Sequence, residues 1–146
     1  MAFFRLLLTL KAVLSPTVLG AVGAVFDKDG RVLLVRHRYE PGWRLPGGGV
    51  GRGEPPERGV LRELKEEVGL TGGAASFFAL YTRRAGWATN VVALYRVTGA
   101  QIAFRPNLEI SAICHADLAA PPDGCTPATL RRLAELAGER VPDPYW

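Results

Sequence analysis

Apolar positions Val60, Leu61, Leu64 and Val68 recur at helical spacing and fall within an arc of about 100°, the width of a stripe that faces a core. Pro55 and Pro56 suit a first turn, Glu54 an acidic cap, and Gly69 a stop, so the pattern predicts a helix over Pro56–Val68. Glu63, Glu66 and Glu67 fall beside the stripe, on another face. Thr17 to Phe26 and Arg31 to Arg36 are instead apolar at successive residues, which predicts strands buried on both faces. Asp27-Lys28-Asp29-Gly30 between them reads as a hairpin turn. Ala75 to Thr82 and Asn90 to Thr98 predict two further strands, joined by a loop over Arg83–Ala88. Thr126 and Pro127 open a last helix with Leu130, Leu133 and Leu136 on one side. Arg131, Arg132 and Arg140 are then expected toward solvent, and the tail aromatics Tyr145 and Trp146 are expected to dock on the domain or a partner chain.

Ahead of these elements, Ala2 to Leu14 is an apolar run broken by Arg5 and Lys11 and ended by Ser15-Pro16. It is shorter than the roughly 20 residues that span a bilayer, and its interior charges argue against a signal peptide. A helix is expected, packed on the domain, on a second copy in a homodimer, or on a membrane surface. The chain therefore divides into an N-terminal apolar helical extension, 1–16, and a single domain, 17–146.

Composition narrows the class. With 146 residues, 48% hydrophobic and 22% charged, the chain is an ordinary globular protein, which excludes disordered and fibrous classes. A net charge of +4 assists capture of anionic small molecules, while no aromatic-basic motif points to specific nucleic-acid binding. Cys114 and Cys125 have no metal-knuckle spacing, and His37 and His115 are not spaced as ligands. Two structural thiols in a reducing, cytoplasmic compartment follow.

The chemistry gathers around residues 47–70. Three carboxylates at i, i+3 and i+4 repel by a few tenths of a kcal/mol per pair on a bare helix, so Glu63, Glu66 and Glu67 call for a cation. Hard divalent ions take such oxygens together with water and phosphate. Gly47, Gly48, Gly49, Gly51 and Gly53 let bare backbone approach a ligand. Arg36, Arg38 and Arg44 crowd the approach to this loop as candidate phosphate contacts. Trp87 is a candidate for base stacking, with Arg83 or Arg84, of which Arg84 is preferred, on phosphate.

These residues carry a resemblance. Gly48, Glu54, Arg62, Glu63, Leu64, Glu66, Glu67, Gly69 and Leu70 fill without a gap the fixed positions of the Nudix box, G-x5-E-x7-R-E-U-x-E-E-x-G-U with U aliphatic, and Trp43 to Gly48 resembles its usual lead-in. The resemblance implies an α/β fold, an α/β/α sandwich with a mixed central β-sheet. It implies a Mg2+-dependent pyrophosphohydrolase, with Mn2+ as an alternative ion, cleaving a nucleoside diphosphate-linked substrate such as a nucleoside triphosphate, nucleotide sugar or dinucleotide. Glu66, Glu67 and the Gly47 carbonyl are then metal ligands, Glu63 a ligand or base, and Arg62 a partner for Glu54. Many relatives carry further acids where this chain has Gly51 and Ala112, and Glu109 stands where a fourth ligand or base is supplied. The alternative is a nucleotide-binding regulatory module with this fold and little turnover, though such modules usually lose box glutamates and none is missing here.

Overall fold

The computed structural model describes residues 1–146 apart from the side chain of Ala2. Its elements run α1 (Ala2–Leu14), β1 (Thr17–Val25), β2 (Val32–His37), β3 (Trp43–Arg44), β4 (Gly47–Gly49), α2 (Pro56–Val68), β5 (Leu70–Ala85), β6 (Ala88–Ile102), β7 (Ile110–Ala116) and α3 (Pro127–Leu136). One sheet is mixed, in the order β4-β1-β6-β5, with β1 and β6 parallel and the other pairs antiparallel. A second sheet, β3-β2-β7, is antiparallel. No helix among the described residues is long and apolar enough to cross a membrane.

Two cores explain the layering. Ala21 and Val25 of β1, Leu33 and Val35 of β2 and Ala93, Tyr95 and Val97 of β6 pack with Val60, Leu64 and Val68 of α2. The alternate positions Ala24, Val32, Leu34 and Leu94 pack with Leu133 and Leu136 of α3. Successive apolar residues on β1 and β2 thus serve opposite faces, as strands covered on both sides require. Helix α2 ends at Gly69, whose φ of +67° gives a left-handed cap.

Three expectations change. The Asp27–Gly30 turn forms, with Asp27 N–H donating to the Arg31 carbonyl at 2.9 Å and the Asp27 carboxylate accepting from the N–H groups of Asp29 and Arg31. The strands it joins pair only through the single antiparallel bridge Phe26–Val32; beyond it β1 takes β4 and β6 as neighbours, β2 takes β3 and β7. Strands β5 and β6 run on through the expected loop, leaving only Gly86 and Trp87 as the turn. Arg132 is fully buried, and of the tail aromatics Trp146 docks edge-on against Tyr81, centroids 5.4 Å apart, while Tyr145 stays exposed.

Candidate active site

Strand β4 and the residues after it bring the glycine loop across the open edge of β1, and α2 returns beside it. Arg62 ties the two. Its Nε and Nη2 donate to the two carboxylate oxygens of Glu54, both at 2.9 Å. Nη2 also donates to the Gly49 carbonyl at 2.9 Å, and Nη1 to Glu63 at 2.7 Å with Glu66 at 3.4 Å. Such two-pronged contact fixes orientation as well as distance. Glu54 does not cap α2, whose start has no side-chain cap at all; its carboxylate instead accepts from the Gly51 N–H at 2.7 Å. The Arg62 guanidinium, then the Gly51 N–H, hold the Glu54 carboxyl down at about 2.

Glu67 differs from its neighbours. Only 4% of it is exposed, against the expectation of a face beside the core stripe, because the Gly47 N–H draws its carboxylate inward at 2.9 Å. Burial, opposed by that hydrogen bond and reinforced by the charges of Glu63, Glu109 and Glu66, raises its carboxyl to about 7. Glu63 lies flat against Gly48, where any Cβ would run into its carboxylate. Asn107, missed by sequence reasoning, donates to the Glu67 carbonyl at 3.0 Å and accepts from the N–H groups of Glu109 and Ile110 at 3.0 and 2.8 Å. It thereby anchors the Glu109 segment to the end of α2.

A cleft of about 620 Å³ opens beside the loop, lined by β1, Gly47–Gly49, the start of α3 and Trp146. Arg44 reaches it and also pairs with Glu40. Arg83, not Arg84, lines it: two residues from buried Tyr81, Arg83 shares its face of β5. Asn90, opposite Arg83 in the register, lines it as well. The Arg44 Nε and the Asn90 Oδ1 are buried without a hydrogen-bond partner. Arg36, Arg38 and Trp87 do not line this cleft. Arg36 stacks on Trp43, 4.3 Å from the ring centroid, Arg38 is held by the Asn107 carbonyl, and Trp87 stands at the β5–β6 turn, 77% exposed.

The donor set for a cation is all oxygen. Among the described residues no three acids close around one point, because Glu63 is drawn to Arg62, Glu67 to Gly47, and Glu66 points outward with 60% of its side chain exposed. A lone arginine stands against Glu54, Glu63 and Glu66, so negative charge is in surplus. That fits a hard divalent ion, which keeps several waters and needs few protein ligands.

A mixed sheet between two helices, with a glycine loop and an acidic helix meeting at its edge, defines a class, and comparison with known proteins agrees. The NUDIX domain model matches residues 16–127, beginning just past α1. The chain belongs to the NUDIX domain family. Its fold resembles the MutT NUDIX hydrolase from Burkholderia pseudomallei, with a TM-score of 0.72 and 27% identity over 88% of this chain and 100% of that one. In sequence it is 44% identical to an RNA pyrophosphohydrolase of Hydrogenovibrio crunogenus over 46 residues, covering 32% of this chain and 28% of that protein. It is 38% identical to an ADP-ribose pyrophosphatase of Methanocaldococcus jannaschii over 65 residues, 42% of this chain and 38% of that one. These stretches span well under half of either relative.

Proposed function

We propose that the chain is a divalent-metal-dependent pyrophosphohydrolase that cleaves a phosphoanhydride bond in a nucleoside diphosphate-linked substrate by attack of water. The observation that carries this reading is the surplus of carboxylates that Arg62 gathers against the glycine loop, whose Gly47–Gly49 also line a cleft large enough for a nucleotide. Glu66, Glu67 and the Gly47 carbonyl would hold Mg2+ or Mn2+, with Glu63 and Glu109 beside them. A bound divalent ion supplies neutralisation of phosphate oxygens and a more acidic water.

The remaining work belongs to the chain. Arg62 and Glu54 hold loop and helix in one geometry, so the acids do not have to reorganise as substrate binds. The Gly47 N–H presents the Glu67 carboxylate and opposes part of the effect of its burial. Glu109, whose carboxylate has no ion-pair partner among the described residues, is the freer of the two candidates to accept a proton from water; Glu63 is tied to Arg62. In the wall of the cleft, Asn90 Oδ1 is an acceptor and Arg44 Nε a donor, both buried without a protein partner. A ligand edge with one donor and one acceptor would satisfy both, and a nucleobase carries such an edge. Arg83 and the Arg44 guanidinium stand where phosphate charge needs partners.

The test is a panel of nucleoside triphosphates, nucleotide sugars and dinucleotides with Mg2+ and Mn2+, read as phosphate after a coupling phosphatase. The Glu67→Gln variant keeps an acceptor for the Gly47 N–H, so it should melt like the parent while losing on the order of a hundredfold or more of metal-dependent turnover. Equal turnover in variant and parent removes Glu67 from the ligand set.

A further inference from the structure

Helix α1 and the tip of the β5–β6 hairpin take no part in the site described above, and both are exposed. On α1, Phe3, Leu6, Leu7, Leu10, Val13 and Leu14 are between 47% and 74% exposed and share an arc of about 120°. At the hairpin tip, Trp87 is 77% exposed and Arg84 lies beside it in the strand. The two regions meet. The Thr89 N–H donates to the Pro16 carbonyl at 3.0 Å, and Thr17 pairs with Thr89, so the end of α1 leaves the domain next to the turn that carries Trp87.

We propose that this end of the molecule is a docking surface for an anionic membrane, with α1 lying in the plane of the bilayer interface and Trp87 and Arg84 as its second contact. Charge identifies the occupant. Residues 1–26 contain Arg5 and Lys11 and no acid, and no acid occurs between Glu67 and Glu109, the stretch that holds the whole hairpin with Arg83 and Arg84. An apolar and basic surface whose own helix and hairpin carry no carboxylate complements acidic lipid headgroups. An exposed tryptophan beside an arginine suits the headgroup level, where one side of the ring is apolar and the other wet.

A second copy of this chain fits less well. Lys11 lies just past the Leu7 edge of the apolar arc on the helical wheel, so helix-to-helix pairing through the arc would bring a lysine to the rim of the seam with no acid on the helix to pair it. On a bilayer the same side chain lies along the acyl boundary and lifts its ammonium to the phosphates. The 13 residues of α1 also make a helix of about 20 Å, too short to cross a hydrocarbon core of roughly 30 Å. Helices of that length are marginal alone in water, and a membrane interface supports one that its own domain does not cover.

Flotation of the full chain with vesicles tests this without any substrate. Vesicles of phosphatidylcholine mixed with phosphatidylglycerol should carry the protein upward, phosphatidylcholine alone much less, and added salt should weaken the partition. Leu6→Glu combined with Leu10→Glu should lower partition about tenfold or more, and Arg84→Glu about fivefold. Trp87→Ala should also lower it, with the melting temperature of every variant unchanged. No flotation of the parent on anionic vesicles at low salt overturns the proposal. So does equal partition onto both vesicle types, or a concentration-dependent dimer in sedimentation that the α1 double variant abolishes while vesicles bind nothing.

Discussion

The arginine–carboxylate clusters around Arg62 and Arg132 are built to opposite rules. Around Arg62, three glutamates, Glu54, Glu63 and Glu66, face one guanidinium that is 38% exposed. Around Arg132, a single glutamate faces a guanidinium that is not exposed at all. There Glu135 accepts from Arg132 Nη2 at 2.8 Å, from the Tyr81 hydroxyl at 2.7 Å and from the Asp143 N–H at 3.0 Å, while Arg132 stacks on Tyr81 and Trp146 at 3.9 and 5.3 Å. Burial and the hydrogen bond to Glu135 push the Tyr81 hydroxyl well above its ordinary range. The buried cluster is closed in charge and pins the C-terminal tail over β5. The exposed one is left with surplus negative charge, which is what a site awaiting a cation requires.

Breaking the closed cluster should have the largest effect on stability. Arg132→Met strands a buried carboxylate and should cost about 3–5 kcal/mol, read as a shift in the urea midpoint, while kcat per folded molecule stays near the parent's and any change falls on KM, since Trp146 lines the cleft. A loss below about 1 kcal/mol would mean that the tail holds without the pair. The same surgery on the open cluster should separate activity from stability in the opposite sense. Arg62→Ala frees the loop from the helix and should lower turnover about 10–100-fold, yet change stability by no more than about 1 kcal/mol, because its partners are partly solvated.

The contrast also shows what a sequence can reveal. Helix α2 was readable to its ends because its period, prolines and closing Gly69 are local signals, and the box residues were readable as a fixed spacing within one loop and one helix. Arg132 was not: Glu135 neutralises it from three residues on, but the groups that cover it, Tyr81 of β5 and Trp146 at the chain's end, are far away in sequence. Strand pairing failed for the same reason: the Asp27 turn chemistry was right, but the parallel register of β1 with β6 is non-local and drew β1 away from β2. Alternation alone does not separate Arg83 from Arg84, because Leu80, which shares the Arg84 face and is more apolar than Tyr81, is 54% exposed while Tyr81 is buried. Asn90 gave no signal, for its importance lies in an unpartnered oxygen buried in the wall of the cleft.

That oxygen supports a smaller effect. Asn90→Ala removes an acceptor that no protein group uses, so stability should hold or rise slightly, while KM for the true substrate should increase about tenfold, near 1.4 kcal/mol, with kcat preserved. A fall in kcat with KM unchanged would place Asn90 outside ground-state binding.

The smallest effect is the acid limb of the open cluster. Glu54 has its folded carboxyl at about 2, below an ordinary value of 4.5, so its ionised form is favoured by folding. The stability it contributes is fully present above the ordinary value and is lost as pH falls through the folded one. Urea midpoints of the parent should therefore drop between about pH 5 and about pH 3 more than those of Glu54→Gln, which has no proton to take up there. Arg132 and Glu135 provide the control: Arg132→Met should be destabilised at both pH values, with the Glu54-dependent drop still superimposed. If the Glu54→Gln midpoint falls as steeply as the parent's, Arg62 holds the glycine loop through the Gly49 carbonyl and Glu63 rather than through Glu54, and the two clusters differ less than their geometry implies.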